Sequence, residues 1–86
     1  MDRYRMLAEV KLFGPAAKAA GADAVRLELT AGATCAELRE ALVAECPALA
    51  HAVSWGRFAL NGRFADEDGS ICDGDEIALI TLVGGG

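Results

Sequence analysis

Glu76-Ile77-Ala78-Leu79-Ile80-Thr81-Leu82-Val83 is the stretch that decides the fold, and it runs straight into Gly84-Gly85-Gly86. A strand with one wet face alternates between apolar and polar residues, whereas this run is apolar at both parities. Such a strand belongs in the middle of a sheet, covered by a helix on one face and by a partner protein on the other. Asp73-Gly74-Asp75, just before it, is a turn signal that launches it.

Upstream, Arg57-Phe58-Ala59-Leu60 reads as a short strand, Asn61-Gly62 as a tight turn, and Phe64-Ala65 as a brief return strand. One helix is well marked. Thr34-Cys35-Ala36-Glu37 fits a capping box, in which the Thr34 hydroxyl and the Glu37 carboxylate satisfy amides at a helix start. Leu38, Ala41 and Leu42 follow at helical spacing, Arg39, Glu40 and Glu45 are expected to face water, and Pro47 closes the element after about three turns. Leu49, Ala50 and Val53 make a loosely ordered apolar stretch or another short turn, with Trp55 expected to cover the core rim.

At the front, Leu7 to Phe13 alternates, with Ala8, Val10 and Leu12 on one face, and stops at Gly14-Pro15. A short helical turn through Ala20 leads to Val25-Arg26-Leu27-Glu28-Leu29, the cleanest alternation in the chain, and the tight connection predicts an antiparallel pair. Residues 1–6 are expected to fray, 7–83 to form one domain, and 84–86 to be a functional glycine tail. Two strands, a helix, short strands and a central strand make an α+β roll of the ubiquitin kind, a mixed sheet wrapped on one main helix.

Composition narrows the function. Eighty-six residues suffice for one small domain. Eight Lys and Arg against thirteen Asp and Glu leave a formal charge of −5, which argues against phosphate-backbone binding and docking to anionic membranes. Neither nucleic acid nor membrane is therefore expected as a partner, and a basic protein is. Cys35, Cys46 and Cys72 show no CxxC spacing or Cys/His cluster, so no metal site is expected. No apolar run approaches a membrane span and no leader pattern is evident, so a reducing, cytoplasmic location is expected.

The catalytic inventory is nearly empty. His51, the sole histidine, has no nucleophile or carboxylate beside it in sequence and reads as surface or structural against a catalytic role. Asp66, Glu67, Asp68, Asp73, Asp75 and Glu76 are either solvated turns or a docking surface for a basic groove. What remains is the terminus. Glycine packs nothing and costs backbone entropy, so three in a row stabilise no fold. Their merit is slimness: from Val83 to Gly86 an extended tail reaches roughly 13–14 Å and could thread a channel closed to other residues. The alternative is a tail without function.

These residues together resemble the MoaD/ThiS family of β-grasp sulfur-carrier proteins, most closely its MoaD branch, the small subunits of molybdopterin synthase. The matching pieces are Val10-Lys11-Leu12-Phe13-Gly14, the Thr34–Leu42 helix, Ala59-Leu60-Asn61-Gly62-Arg63, Asp73-Gly74-Asp75-Glu76-Ile77 and the terminal glycines. The resemblance implies that Gly86 is the reacting residue. An ATP-using adenylyltransferase/sulfurtransferase of the ubiquitin-activating type would adenylate its carboxylate and convert it to a thiocarboxylate. Gly84 and Gly85 would be the stem inserted into the partner's pocket. Ile77, Leu79, Thr81, Leu82 and Val83 would lie at the interface with the molybdopterin synthase large subunit, where sulfur passes to the pterin precursor. No tightly bound cofactor is implied; ATP belongs to the activating enzyme. One departure stands out: MoaD chains commonly carry prolines before the last glycines, and Val83 followed by three glycines is more like the thiazole-forming ThiS branch. A plain ubiquitin-like interaction module and a protein modifier joined to lysines share the same pattern.

Overall fold

The computed structural model describes residues 4–81. Five strands form one sheet in the order β2-β1-β5-β3-β4, where β1 is Arg5–Leu12, β2 Ala24–Thr30, β3 Gly56–Leu60, β4 Arg63–Phe64 and β5 Ile77–Thr81. The helices are α1 (Gly14–Ala20), α2 (Cys35–Glu45) and α3 (Ala50–Trp55), with a 3-10 turn at Pro47–Leu49 before α3. This is the ubiquitin-like α+β arrangement that the order of elements predicts.

β1 and β2 pair antiparallel, from Arg5 opposite Thr30 to Lys11 opposite Ala24. α1 makes the connection: Pro15 pre-sets its first turn, and Gly21 ends it with a left-handed φ of 69° that a Cβ would disfavour. β5 is central. It runs parallel to β1, with Val10 opposite Ile77 and Leu12 opposite Leu79, and antiparallel to β3, with Phe58 opposite Leu79. Parallel neighbours need a long crossover, and the chain between β2 and β5 supplies α2 to cover one face. β3 and β4 close through Asn61 and Gly62, both at positive φ (53° and 84°), the twist that a two-residue hairpin requires.

The core lies between that face and the helices. Met6, Ala8, Val10 and Leu12 of β1, Leu27 and Leu29 of β2, Phe58 of β3, and Ile77 and Leu79 of β5 bury there. Leu38 and Leu42 of α2, with Leu49 and Val53, meet them. The Thr34–Glu37 capping box forms: Glu37 N–H donates to Thr34 Oγ1 at 3.2 Å, and Thr34 N–H to Glu37 Oε1 at 2.8 Å. Segment 66–71 straps the same helix start, since Cys35 N–H donates to Gly69 O and Ala36 N–H to Glu67 O.

Four expectations need correction. β1 begins at Arg5, because Met6 is an inward-facing position opposite Leu29, so residues 5 and 6 belong to the sheet. The stretch after Pro47 is not loose: it takes the turn form, as the 3-10 turn, and goes on into α3. Trp55 does not cover the rim: Leu49, Ala52 and Val53 fill that place, and Trp55 is 67% exposed. Arg39 does not simply face water. Its guanidinium donates to Val53 O, pairs with both carboxylate oxygens of Glu67 (3.2 and 2.6 Å) and lies 5.4 Å from the Phe58 ring centre.

Candidate functional site on the open face of the sheet

Strand parity puts every second residue on the face away from the helices. Lys11, Ala78, Ala59 and Phe64 form one cross-strand row there, since Lys11 pairs with Ala78, Ala78 with Ala59, and Ala59 with Phe64. Ile80 stands opposite Arg57 in the next row on the same face. The short alanines leave a low floor between Phe13, Phe64 and Ile80, and the result is an open groove of about 430 Å³. Phe13 and Phe64 are exposed by 53% and 52%. Contiguous apolar surface of this kind, rimmed by charge, marks an interaction site.

Lys11 Nζ meets Glu76 Oε2 at 3.2 Å at one rim. At another, the Arg57 guanidinium carbon lies 4.7 Å from the Phe64 ring centre and holds that ring on the surface. The turn into β5 is fixed by hydrogen bonds. Asp75 accepts from the Cys72 N–H at 2.8 Å and from Asn61 Nδ2 at 3.0 Å, while Asn61 Oδ1 accepts from the Glu76 N–H at 3.0 Å. The Cys72 amide and then Asn61 hold the Asp75 carboxyl below its ordinary range. The side-chain hydrogen bond from Arg39 does the same for Glu67. Three of the six acidic residues singled out from the sequence are therefore engaged: Glu67 with Arg39, Asp75 with the turn, and Glu76 with Lys11.

The expected interface residues divide. Ile77 and Leu79 point into the core and are 1% and 0% exposed, so their side chains cannot form a partner surface. That place is taken by Ala78 and Ile80, one residue out of register with the expectation. Thr81 is half-buried and pairs with Gly56 at the end of β5. Leu82, Val83, Gly84, Gly85 and Gly86 lie outside the described residues. Among thiols, burial pushes Cys35 up, with Glu67 adding to the effect, so it packs as a small apolar side chain. Sequence reasoning missed Phe13, Phe64, Ala59 and Ile80 as a set. The signal was an apolar residue at outward parity on several strands, and it becomes visible once the register is known.

The profile of the ThiS family matches residues 10–86. No curated protein sequence matches the chain. Among solved structures, the chain is similar to SAMP1 from Haloferax volcanii, at 33% identity over 96% of this chain and 100% of that one, with a TM-score of 0.81. It is also similar to a chain in the complex of subunits 1 and 2 of molybdopterin-converting factor from Helicobacter pylori 26695. There the identity is 30%, the coverage 94% of this chain and 100% of that one, and the TM-score 0.63. A ubiquitin from Caldiarchaeum subterraneum shares the fold, at 21% identity over 96% of this chain and 100% of that one, with a TM-score of 0.66. With a family profile running through nearly the whole chain, and a sheet and helix arrangement common to these structures, the chain belongs to the ThiS family of MoaD/ThiS-type β-grasp sulfur carriers.

Proposed function

We propose that this protein carries sulfur on the carboxyl group of Gly86 and, as a molybdopterin synthase small subunit, delivers it to the pterin precursor of the molybdenum cofactor. The observation that carries the reading is the family match through residue 86, in a chain whose sequence after the central strand β5 reads Leu82-Val83-Gly84-Gly85-Gly86. The chemistry is economical. A carboxylate is a poor electrophile, so its oxygen first attacks the α-phosphate of ATP and releases pyrophosphate. A hydrosulfide-equivalent donor then displaces AMP and leaves a thiocarboxylate. ATP and the adenylyltransferase site belong to the activating enzyme; this chain supplies the acyl group and a face to dock by. The open groove of Phe13, Phe64, Ala78 and Ile80 suits both the activating enzyme and the large subunit.

A second reading has an observation of its own. The likeness to SAMP1 of Haloferax volcanii, a small archaeal modifier protein, supports a protein modifier whose activated Gly86 is passed to a lysine amine. Both readings share the acyl-adenylate and divide at the acceptor. Sulfur delivery to thiazole synthesis is a third use of the same thiocarboxylate. Intact mass after incubation with ATP, a sulfur donor and the activating enzyme tests the first reading. A gain matching one oxygen replaced by sulfur at Gly86 is expected. Exclusive appearance of isopeptide-linked conjugates would overturn it in favour of the modifier, and no activation would overturn both.

A further inference from the structure

The end of β5 is framed by two exposed aromatic residues that adjoin its neighbouring strands, Phe13 just after β1 and Trp55 just before β3. On one side β1 pairs Leu12 with Leu79, which brings Phe13 level with Ile80. On the other, β3 pairs Gly56 with Thr81, so Trp55 stands one position beyond the last described pair, beside the end of β5. The Trp55 indole is 67% exposed, and its nearest aromatic companion is His51, one helical turn earlier in α3, with ring centres 6.2 Å apart and planes tilted by 53°. Packing does not explain this placement, because Leu49, Ala52 and Val53 complete the core beneath α3. The corner beside Trp55 is closely packed. Gly56, next to it, is pressed so closely between Ala52 O and Leu79 that a Cβ there would lie 2.8 Å from each. The Gly56 backbone is tightly enclosed there, and the Trp55 indole beside it lies on the surface.

Resting on the carrier reading above, we infer that Trp55, backed by His51, is a positioning contact for the ATP-using acyl-adenylating enzyme that receives the terminal segment. On the carrier reading the acyl-adenylating enzyme is the first that must take the carboxyl, and reach ties it to this corner. Five residues separate Thr81 from the carboxyl of Gly86, and fully extended they span at most roughly 17–18 Å. An enzyme that encloses that carboxyl must bring its wall close to the end of β5, and the groove side of that approach already carries Phe13 and Ile80. Trp55, the last residue of α3, is exposed on the other side of the end of β5. A large, stiff, amphipathic side chain loses little entropy when a partner covers it, which is why tryptophan is enriched among the residues that dominate interfaces.

Carrier-dependent ATP–pyrophosphate exchange with the activating enzyme tests the inference. W55A is expected to raise the carrier's KM by about tenfold with kcat unchanged, and W55F to recover most of the loss. Trp55 is the only tryptophan in the chain, so 5-fluorotryptophan labelling gives one resonance, expected to shift or broaden as the enzyme is added. An unchanged KM for W55A, or a resonance unmoved at saturating enzyme, overturns the positioning role and leaves the carrier reading intact. Failure of the unaltered chain to support exchange refutes the carrier reading, and with it the occupant named here.

Discussion

Gly56→Ala is the substitution for which the structure makes the sharpest demand. The backbone there is ordinary extended chain, φ −100° and ψ 172°, so an alanine meets no conformational objection. The objection is contact. The new Cβ would lie 2.8 Å from Ala52 O, 2.8 Å from Leu79 Cδ1 and 3.1 Å from Ile80 O, all inside normal van der Waals separation. Two of these atoms are backbone carbonyls, one in α3 and one in β5, and the third belongs to a side chain with no exposed surface. Relief therefore requires α3 and β5 to move apart, and overpacking of this kind costs about 2–3 kcal/mol. For a domain of this size the midpoint of thermal unfolding should fall by roughly 10–20 °C. Circular dichroism follows the global transition, and Trp55 fluorescence follows the same corner locally. Gly62→Ala is the contrast: nothing lies within 4 Å, and only its φ of 84° opposes a side chain, at about 1 kcal/mol. A Gly56→Ala protein within about 0.5 kcal/mol of the unaltered one would show that α3 does not clamp β5, and the reasoning would fail.

Ile80→Asp places a charge in the open groove and is expected to lower affinity for the activating enzyme by at least about tenfold, while circular dichroism shows the fold intact; calorimetric titration checks it. Arg39→Lys keeps the charge but loses the fork that reaches Val53 O and both oxygens of Glu67, and should cost about 1–2 kcal/mol in urea unfolding. Stability should fall with acid. Glu67 and Asp75 are both held below their ordinary values of 4.5 and 3.8, so their contribution is complete above those values and is lost as pH falls through the lower folded ones. Asp75→Asn should accordingly flatten the acid limb of a stability–pH profile below about pH 4, and an unaltered limb would refute it. Gly86→Ala should fold as the parent does and fail to deliver sulfur; normal delivery would count against the terminus as the reacting group.

Much of the fold was legible because its signals are local. Val25 to Leu29 alternates with the period of a half-buried strand, Thr34 and Glu37 carry both halves of a capping box, and Asn61-Gly62 supplies the positive φ values of a tight hairpin. The errors arose where a residue's surroundings come from distant chain. Arg39 was assigned to water because its helix neighbours are polar, yet Val53, Glu67 and Phe58 reach it from three other segments. Nothing local marks Met6 as part of β1, since its partner, Leu29, is more than twenty positions away. Trp55 ends an apolar stretch, which points to the core rim, but Leu49, Ala52 and Val53 are the residues that bury beneath α3.

The docking face divides in the same way. That β5 is central and two-faced follows from its composition, since a run apolar at both parities cannot leave either face in water cheaply. Which parity meets α2 does not follow from it. Only the pairing of Leu79 with Leu12 and Phe58, beneath the buried stripe of α2, turns Ile77 and Leu79 inward and leaves Ala78 and Ile80 outside. A strand has period two, so one residue of register exchanges its whole core set for its surface set, and register is set by neighbouring strands and the helix above them. The sequence by itself determined the ubiquitin-like order of strands around one main helix and the central, two-faced strand. Tertiary structure alone decided which side chains that strand offers a partner, because facing is settled by contacts between segments far apart in the chain.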